Sequence, residues 1–233
     1  MFKNLNVIFF VLFSLLFCSC SVMKNKNNIS NEVHVEMQTS KGSIIFKLYN
    51  QTPLHRDNFI KLVEENFYNG VTFHRVIKDF MAQAGDPNSK DGSFKGQLGQ
   101  NSKGETIPAE FSNNLFHKKG ALAAARMGDN VNPEKKSSGS QFYIVQGKKY
   151  SLKQLSEMEN RLNQNQENIF SFSESAKKLY QEIGGTPFLD NGYTVFGEVI
   201  KGIEIIDKIC SVKTSNGNKP INNVTILSAR IIN

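Results

Sequence analysis

Apolar residues recur at every second position in a series of short stretches along this chain, and each stretch stops at a turn signal. Val33, Val35 and Met37 alternate with polar residues, TSKG supplies a turn, and Ile44, Phe46 and Leu48 alternate again, which is the pattern of a β-hairpin. The stretch FHRVIKDFMAQAGD (73–86) reads as strand, turn and strand; period two puts Phe73, Arg75 and Ile77 on one face and His74 and Val76 on the other. GALAAARMG (120–128), GSQFYIVQG (139–147), YTVFGEVI (193–200) and Val224 to Ile232 read as further strands, with Gln141, Tyr143 and Val145 sharing a face. Helical spacing is rarer. Thr52-Pro53 is an N-cap with proline at the first helical position, followed by a stripe of Phe59, Leu62 and Val63 that ends at Asn66 to Gly70. GIEIIDKI (202–209) is a short helix. Many short strands with few helices favour a closed β-barrel over an alternating α/β sheet.

One segment departs from the strand pattern. Between Tyr150 and Gly185, Ser151 with Gln154 makes a capping box, and Tyr150 with Leu155 has the spacing of a hydrophobic staple. Leu152, Leu155, Met158 and Leu162 form that helix's stripe. A second helix is predicted from Ser171, with Ala176, Leu179, Tyr180 and Ile183 on one face and a stop at Gly184-Gly185. The pair reads as a helical excursion inserted at about 150–185. Residues 86 to 107 are a long loop whose glycines are followed by no Gly-Lys-Ser/Thr, so it reads as slack rather than a phosphate cradle.

The N-terminus is of another kind. Lys3 precedes an apolar run, Val7 to Phe17 broken only by Ser14, too short to span a bilayer comfortably but of signal-peptide length. LLFCSC resembles the signal of bacterial lipoproteins, in which a cysteine after a small residue is lipidated and becomes the first mature residue. Cys20, after Ser19, fits that pattern better than Cys18, which follows the bulky Phe17. The alternatives are a secreted chain cut nearby and an uncleaved anchor. The expected layout is a lipoprotein signal peptide over 1–19, lipidated Cys20 with a polar tether over 20–31, and one domain over 32–233. This implies the bacterial cell envelope, with the domain outside the cytoplasm and most simply periplasmic. After such processing only Cys210 keeps a free thiol, so no internal disulfide can form and the fold must stand on its core. In IEIIDKICSV, Cys210 reads as a small buried hydrophobe.

The formal charge of +7 becomes +6 without Lys3, and the excess is spread over separate loops at Lys118-Lys119, Lys135-Lys136 and Lys148-Lys149. That distribution argues against nucleic-acid recognition. The four histidines, His34, His55, His74 and His117, have no metal-ligand spacing, and Ser140 lacks a nucleophile elbow. His74 reads as a hydrogen-bonded core histidine. Arg75 stands out, because a guanidinium among apolar neighbours is costly to desolvate without partners. It is either a structural arginine, snorkelling at an edge or paired with a distant acid, or a functional one.

FHRVIKDFMAQAGDP resembles the signature of the cyclophilin-type peptidyl-prolyl cis-trans isomerases, GSQFYI resembles that family's GSQFFI strand, and FLDNGYTVFGEVIKGIEIIDKI resembles its W/F-LDGKHxVFGxVxxGxxVVxxI segment. The similarity runs in order from about Val33 to Ile232, interrupted by the helical excursion. The resemblance implies an eight-stranded antiparallel barrel capped by two helices, with an outer groove for Xaa-Pro segments, and an isomerase that needs no cofactor and no metal and works as a monomer on proline-containing polypeptides. It makes Arg75 the catalytic arginine, Phe80, Met81, Tyr143 and Leu189 the proline pocket, and Gln83, Ala125, Arg126 and Gln141 the peptide-binding edge, with Phe188 and Tyr193 lining the same groove. Tyr143 stands where the family usually has phenylalanine, Tyr193 replaces a common histidine, Arg126 an asparagine and Phe188 a tryptophan. A second reading is a docking module that holds proline-containing partners with little turnover.

Overall fold

Eight strands form: β1 (His34–Thr39), β2 (Gly42–Leu48), β3 (Arg75–Ile77), β4 (Met81–Ala84), β5 (Ala121–Ala124), β6 (Phe142–Val145), β7 (Val195–Lys201) and β8 (Ile226–Ile232). The computed structural model describes residues 32–164 and 170–232; the signal segment, the tether and Cys20 lie outside the described residues. The strands make one sheet in the order β3-β4-β6-β5-β7-β2-β1-β8, antiparallel at every pairing. It curls until its ends meet. The Phe73 N–H donates to the Val224 carbonyl at 2.9 Å and the Ile226 N–H to Val71 at 2.8 Å, so closure takes a short bridge ahead of β3 rather than a full ladder.

Alternation along each strand sorts side chains into two cores. Ala82, Ala84, Leu122, Ala124, Phe142 and Ile144 point into the curl, while Met81, Ala121, Ala123, Tyr143 and Val145 form a second cluster on its outer face. Both faces of β5 and β6 are covered, which is why these strands read as unbroken apolar runs. Inside, Phe142 meets Phe59 and Tyr68 edge-on at 5.6 and 5.3 Å. A fully buried ring of this kind contributes about 1.5–3 kcal/mol by removal from water. Two helices shut the interior. α1 (Pro53–Glu64) brings Phe59, Leu62 and Val63, and α4 (Ile203–Cys210) brings Ile205, Ile206, Ile209 and Cys210. Burial pushes the Cys210 thiol up to about 12, which keeps it un-ionised at neutral pH, as a small hydrophobe should be.

Two local expectations, one of strand face and one of helix cap, need correction. Phe73 does not share a face with Arg75: it lies in the inner core with Val76, while Ile77 sits against the outer cluster. The ladder with β4 begins only at Arg75, and Phe73 is bonded instead towards Val224, so period two does not extend back across that point. Thr52 occupies the N-cap position of α1, but its side chain caps nothing. Glu110 does that work from across the chain, accepting the Leu54 and His55 N–H groups at 3.1 and 3.0 Å and His55 Nδ1 at 2.7 Å.

The inserted helices are α2 (Leu152–Leu162) and α3 (Glu174–Glu182). The capping box at Ser151 and Gln154 forms as expected, but α3 is capped by Ser173, whose hydroxyl accepts the Ala176 N–H, and not by Ser171. Leu152 and Ile183 are exposed because each stands at a helix terminus, beyond the reach of the small core of Leu155, Met158, Phe172, Ala176 and Tyr180. The excursion rejoins the sheet through Gly185, at φ +152°, where a Cβ would come within 2.2 Å of the His117 carbonyl. Side chains are excluded at that crossing.

Candidate functional site

Strand register builds the site. On the outer face Arg75 of β3 stands opposite Gln83 of β4, Gln83 opposite Tyr143 of β6, and Tyr143 opposite Ala123 of β5, one row across four strands. The three-residue turn Lys78-Asp79-Phe80, with Asp79 at φ +60°, sets Phe80 at the end of that row beside Met81. A 3-10 turn at Pro187–Leu189 lays Leu189 over the outer cluster from the other side.

Arg75, Phe80, Met81, Gln83, Ala125, Arg126, Tyr143, Leu189 and Tyr193 line one hollow of about 90 Å³. That is several times the ~10–15 Å³ of such space that a single water occupies. Gln141 and Phe188 lie outside this lining. Gln141 borders the adjoining hollow of about 260 Å³, which Gln83, Ala125 and Arg126 also share. Phe188 is exposed and packs its ring on Phe80 at 5.7 Å, forming the rim.

The polar groups are ordered by a chain of contacts. Arg75 Nη1 donates to Gln83 Oε1 at 3.3 Å, Gln83 Nε2 to Gln141 Oε1 at 2.9 Å, and Gln141 Nε2 to the carbonyls of Gly99 and Asn101 at 3.0 and 2.7 Å. No carboxylate pairs with Arg75 among the described residues; the guanidinium rests 5.9 Å from the Phe80 ring centre, and the residue lines the hollow. Arg126 is used differently. It lies 4.5 Å from the centre of the Tyr193 ring, donates to the Gly192 carbonyl at 2.7 Å and pairs with Asp129 at 2.6 Å, which holds the Asp129 carboxyl below its usual range. These bonds take up Nε and Nη1 and fix the side chain as a wall of the hollow.

Four residues that shape this region were given no role by the sequence reading: Asp86, Glu110, His117 and Asp190. Asp86, fully buried, accepts the N–H groups of Asn88 at 2.8 Å, Gly99 at 2.6 Å and Asn101 at 3.3 Å. The segment read as slack is therefore pinned where it supplies the Gln141 partners. Nothing local announces such a clamp, since the two ends are thirteen and fifteen residues apart.

His74 is buried as expected, but neither ring nitrogen has a hydrogen-bond partner among the described residues. Burial, reinforced by the charge of Arg75 and partly offset by Asp86, holds it down to about 4. Unfolded, this imidazole binds a proton below about pH 6.5, whereas folded it does so only below about 4. Between those values the unfolded chain holds more protons, so stability falls as pH falls. The expected loss from His74 is about 2 kcal/mol between pH 7 and pH 5. Urea unfolding at both pH values checks this: His74→Gln should flatten the slope, leaving a remainder from His55, which burial also holds low. An unchanged slope in the variant removes the assignment.

Comparison with known proteins agrees with the geometry. Residues 34–231 match the family described as cyclophilin type peptidyl-prolyl cis-trans isomerase/CLD. A protein of Staphylococcus saprophyticus, provisionally named a peptidyl-prolyl cis-trans isomerase, is 37% identical over 203 residues, spanning 87% of this chain and 93% of its own. A protein of the same name from Staphylococcus aureus is 37% identical over 205 residues, spanning 88% and 94%. The crystal structure of a cyclophilin-type isomerase of Cryptosporidium parvum superposes with a TM-score of 0.61 at 22% identity, covering 87% of this chain and 98% of that one. A second structure of the same protein, determined in the presence of the dipeptide Ala-Pro, gives 0.60 at 22% identity over 86% and 99%.

Proposed function

The chain belongs to the cyclophilin-type peptidyl-prolyl cis-trans isomerases, and from that premise we propose that it accelerates Xaa-Pro rotation in polypeptides folding outside the cytoplasm, with Arg75 as its catalytic group. The carrying observation is a guanidinium with no carboxylate partner among the described residues, set at a hollow walled by Phe80, Met81, Tyr143 and Leu189. Rotation about a peptide bond faces a barrier of about 18–20 kcal/mol that comes from amide resonance. Xaa-Pro bonds populate both isomers but exchange in tens to hundreds of seconds.

In this reading Phe80, Met81, Tyr143 and Leu189 hold the proline ring while the preceding residue turns. As the bond twists, resonance is lost and the prolyl nitrogen recovers its lone pair. An Arg75 N–H directed at that nitrogen is stabilising only in the twisted state, which is the condition for lowering a barrier. Gln83 and Gln141 keep the guanidinium aimed and, with Ala125 and Arg126, form the edge along which the peptide lies. No acid, base or nucleophile enters. The Ala-Pro dipeptide present with the Cryptosporidium protein supports an Xaa-Pro ligand for this groove. The test is the cis-to-trans rate of an Ala-Pro-Phe peptide with residues 21–233. Acceleration supports the enzyme, and binding without acceleration would make the domain a docking module.

The place of action rests on the N-terminus, where the apolar run followed by Ser19-Cys20 supports export and lipidation. The whole chain expressed in a bacterium with a radioactive fatty acid should take up label, and Cys20→Ala should lose it. Label retained in that variant moves the attachment to Cys18 or elsewhere.

A further inference from the structure

Tyr143 differs from the phenylalanine usual at its position by one oxygen, and that oxygen does not face the hollow. The Tyr143 hydroxyl is buried and lies 3.0 Å from His117 Nε2, with the two rings nearly parallel, 12° apart. On the other side of the imidazole, Nδ1 lies 2.8 Å from Asp190 Oδ1, which also accepts the His117 backbone N–H at 2.9 Å. A carboxylate at Nδ1 assigns the proton there, so Nε2 is the acceptor and the Tyr143 O–H donates to it. The second Asp190 oxygen accepts the Tyr180 O–H at 2.5 Å. Tyr180 belongs to α3 of the inserted excursion and is itself fully buried in that excursion's core.

Four buried side chains thus run in one direction, from Tyr143 to His117 to Asp190, with Tyr180 closing the far end. Asp190 directly follows Leu189, the opposite wall of the hollow. One carboxylate therefore holds both walls. It fixes Tyr143 through His117 and ties the turn carrying Leu189 to the inserted helix.

We infer that the inserted excursion is part of the substrate site: Tyr180, acting through Asp190 and His117, positions Tyr143 and Leu189 and so sets the width of the proline pocket. His117, Asp190 and Tyr180 are positioning residues, since none of them lines the hollow. The physical need is specific to this chain. A phenylalanine has nothing to satisfy, whereas a buried phenol without an acceptor is penalised and swings towards one. Tyr143 is itself a wall of the pocket, so any such swing changes its shape. The inference rests on the reading of the hollow as the proline site.

The experiment measures KM and kcat for the Ala-Pro-Phe peptide with residues 21–233, in wild type, His117→Leu, Tyr180→Phe, Tyr143→Phe and the two double variants that add Tyr143→Phe. His117→Leu should raise KM about tenfold and Tyr180→Phe about threefold. Adding Tyr143→Phe should recover most of the His117→Leu loss and shrink the effect of Tyr180→Phe to the part that acts through Leu189, because the hydroxyl that needed holding is gone. Losses that instead multiply independently, or Tyr180→Phe with wild-type KM, overturn the inference. A variant that is merely less stable shifts its melting temperature but gains nothing from Tyr143→Phe. Should His117→Leu not fold, Tyr180→Phe in the two backgrounds carries the same comparison, and the ¹⁵N shift of His117 Nε2 should move in Tyr180→Phe. An unmoved shift with unchanged KM is equally fatal. If wild type neither turns over nor binds the peptide, the proline-site reading falls and takes the inference with it, an outcome distinct from an active wild type without rescue.

Discussion

Arg75→Ala is expected to lower kcat/KM for an Xaa-Pro peptide by about 100- to 1,000-fold, the effect of removing one preorganised donor worth roughly 3–4 kcal/mol in the transition state. The fold should survive the change. Arg75 is half-buried, makes no ion pair among the described residues, and is tied to the protein by one 3.3 Å hydrogen bond to Gln83. Circular dichroism and melting temperature should therefore match wild type while the rate collapses. Arg75→Lys should lose most of the activity too. An ammonium on a flexible stem keeps the charge but not the fixed fork, so one arm can no longer rest on Gln83 while another points at the prolyl nitrogen. If Arg75→Ala retains more than about a tenth of wild-type kcat/KM, the hollow catalyses by holding the ring alone, and the donor argument fails.

Much of this was legible in the chain because a strand repeats every two residues and a side chain's face follows from counting. Gln141, Tyr143 and Val145 were assigned to one face by parity, and parity with register suffices to bring Tyr143 into line with Gln83 and Arg75. Parity fails where pairing lapses, as at Phe73, whose backbone is bonded to Val224 ahead of the regular ladder. Helix caps show the same limit. Ser151 was readable because its partner Gln154 is three residues away, but the cap of α1 comes from Glu110, 55 and 56 residues from the N–H groups it accepts. Asp190 and His117 are separated by 73 residues, and no local pattern marks either as the other's partner. Arg75 was conspicuous for what its neighbours lacked, a feature of composition; what holds it in place is distributed over β4, the residue before β6 and the loop through Gly99 and Asn101, and could only be seen folded.

That distribution makes a second strong effect expected at Asp86. The residue lies in the same stretch as Arg75, and its two oxygens accept three backbone N–H groups, Asn88 on one and Gly99 with Asn101 on the other. Asp86→Ala leaves these part-buried donors without an acceptor. At about 1–3 kcal/mol for each unmet group, partly relieved where water enters, the loss should be about 3 kcal/mol. For a chain of this length that is roughly 6–12 °C in melting temperature. The functional consequence follows from the order of contacts. The carbonyls of Gly99 and Asn101 hold the Gln141 amide, Gln141 holds Gln83, and Gln83 holds Arg75. Releasing the loop frees the aim of the guanidinium, so kcat should fall about tenfold at temperatures where the variant remains folded, with KM changing less. Asp86→Asn keeps one accepting oxygen and should fall between. A variant that melts within 2 °C of wild type would show that the loop holds itself. One that melts early yet turns over normally would show that Arg75 is aimed by Gln83 alone, without support from the loop behind it.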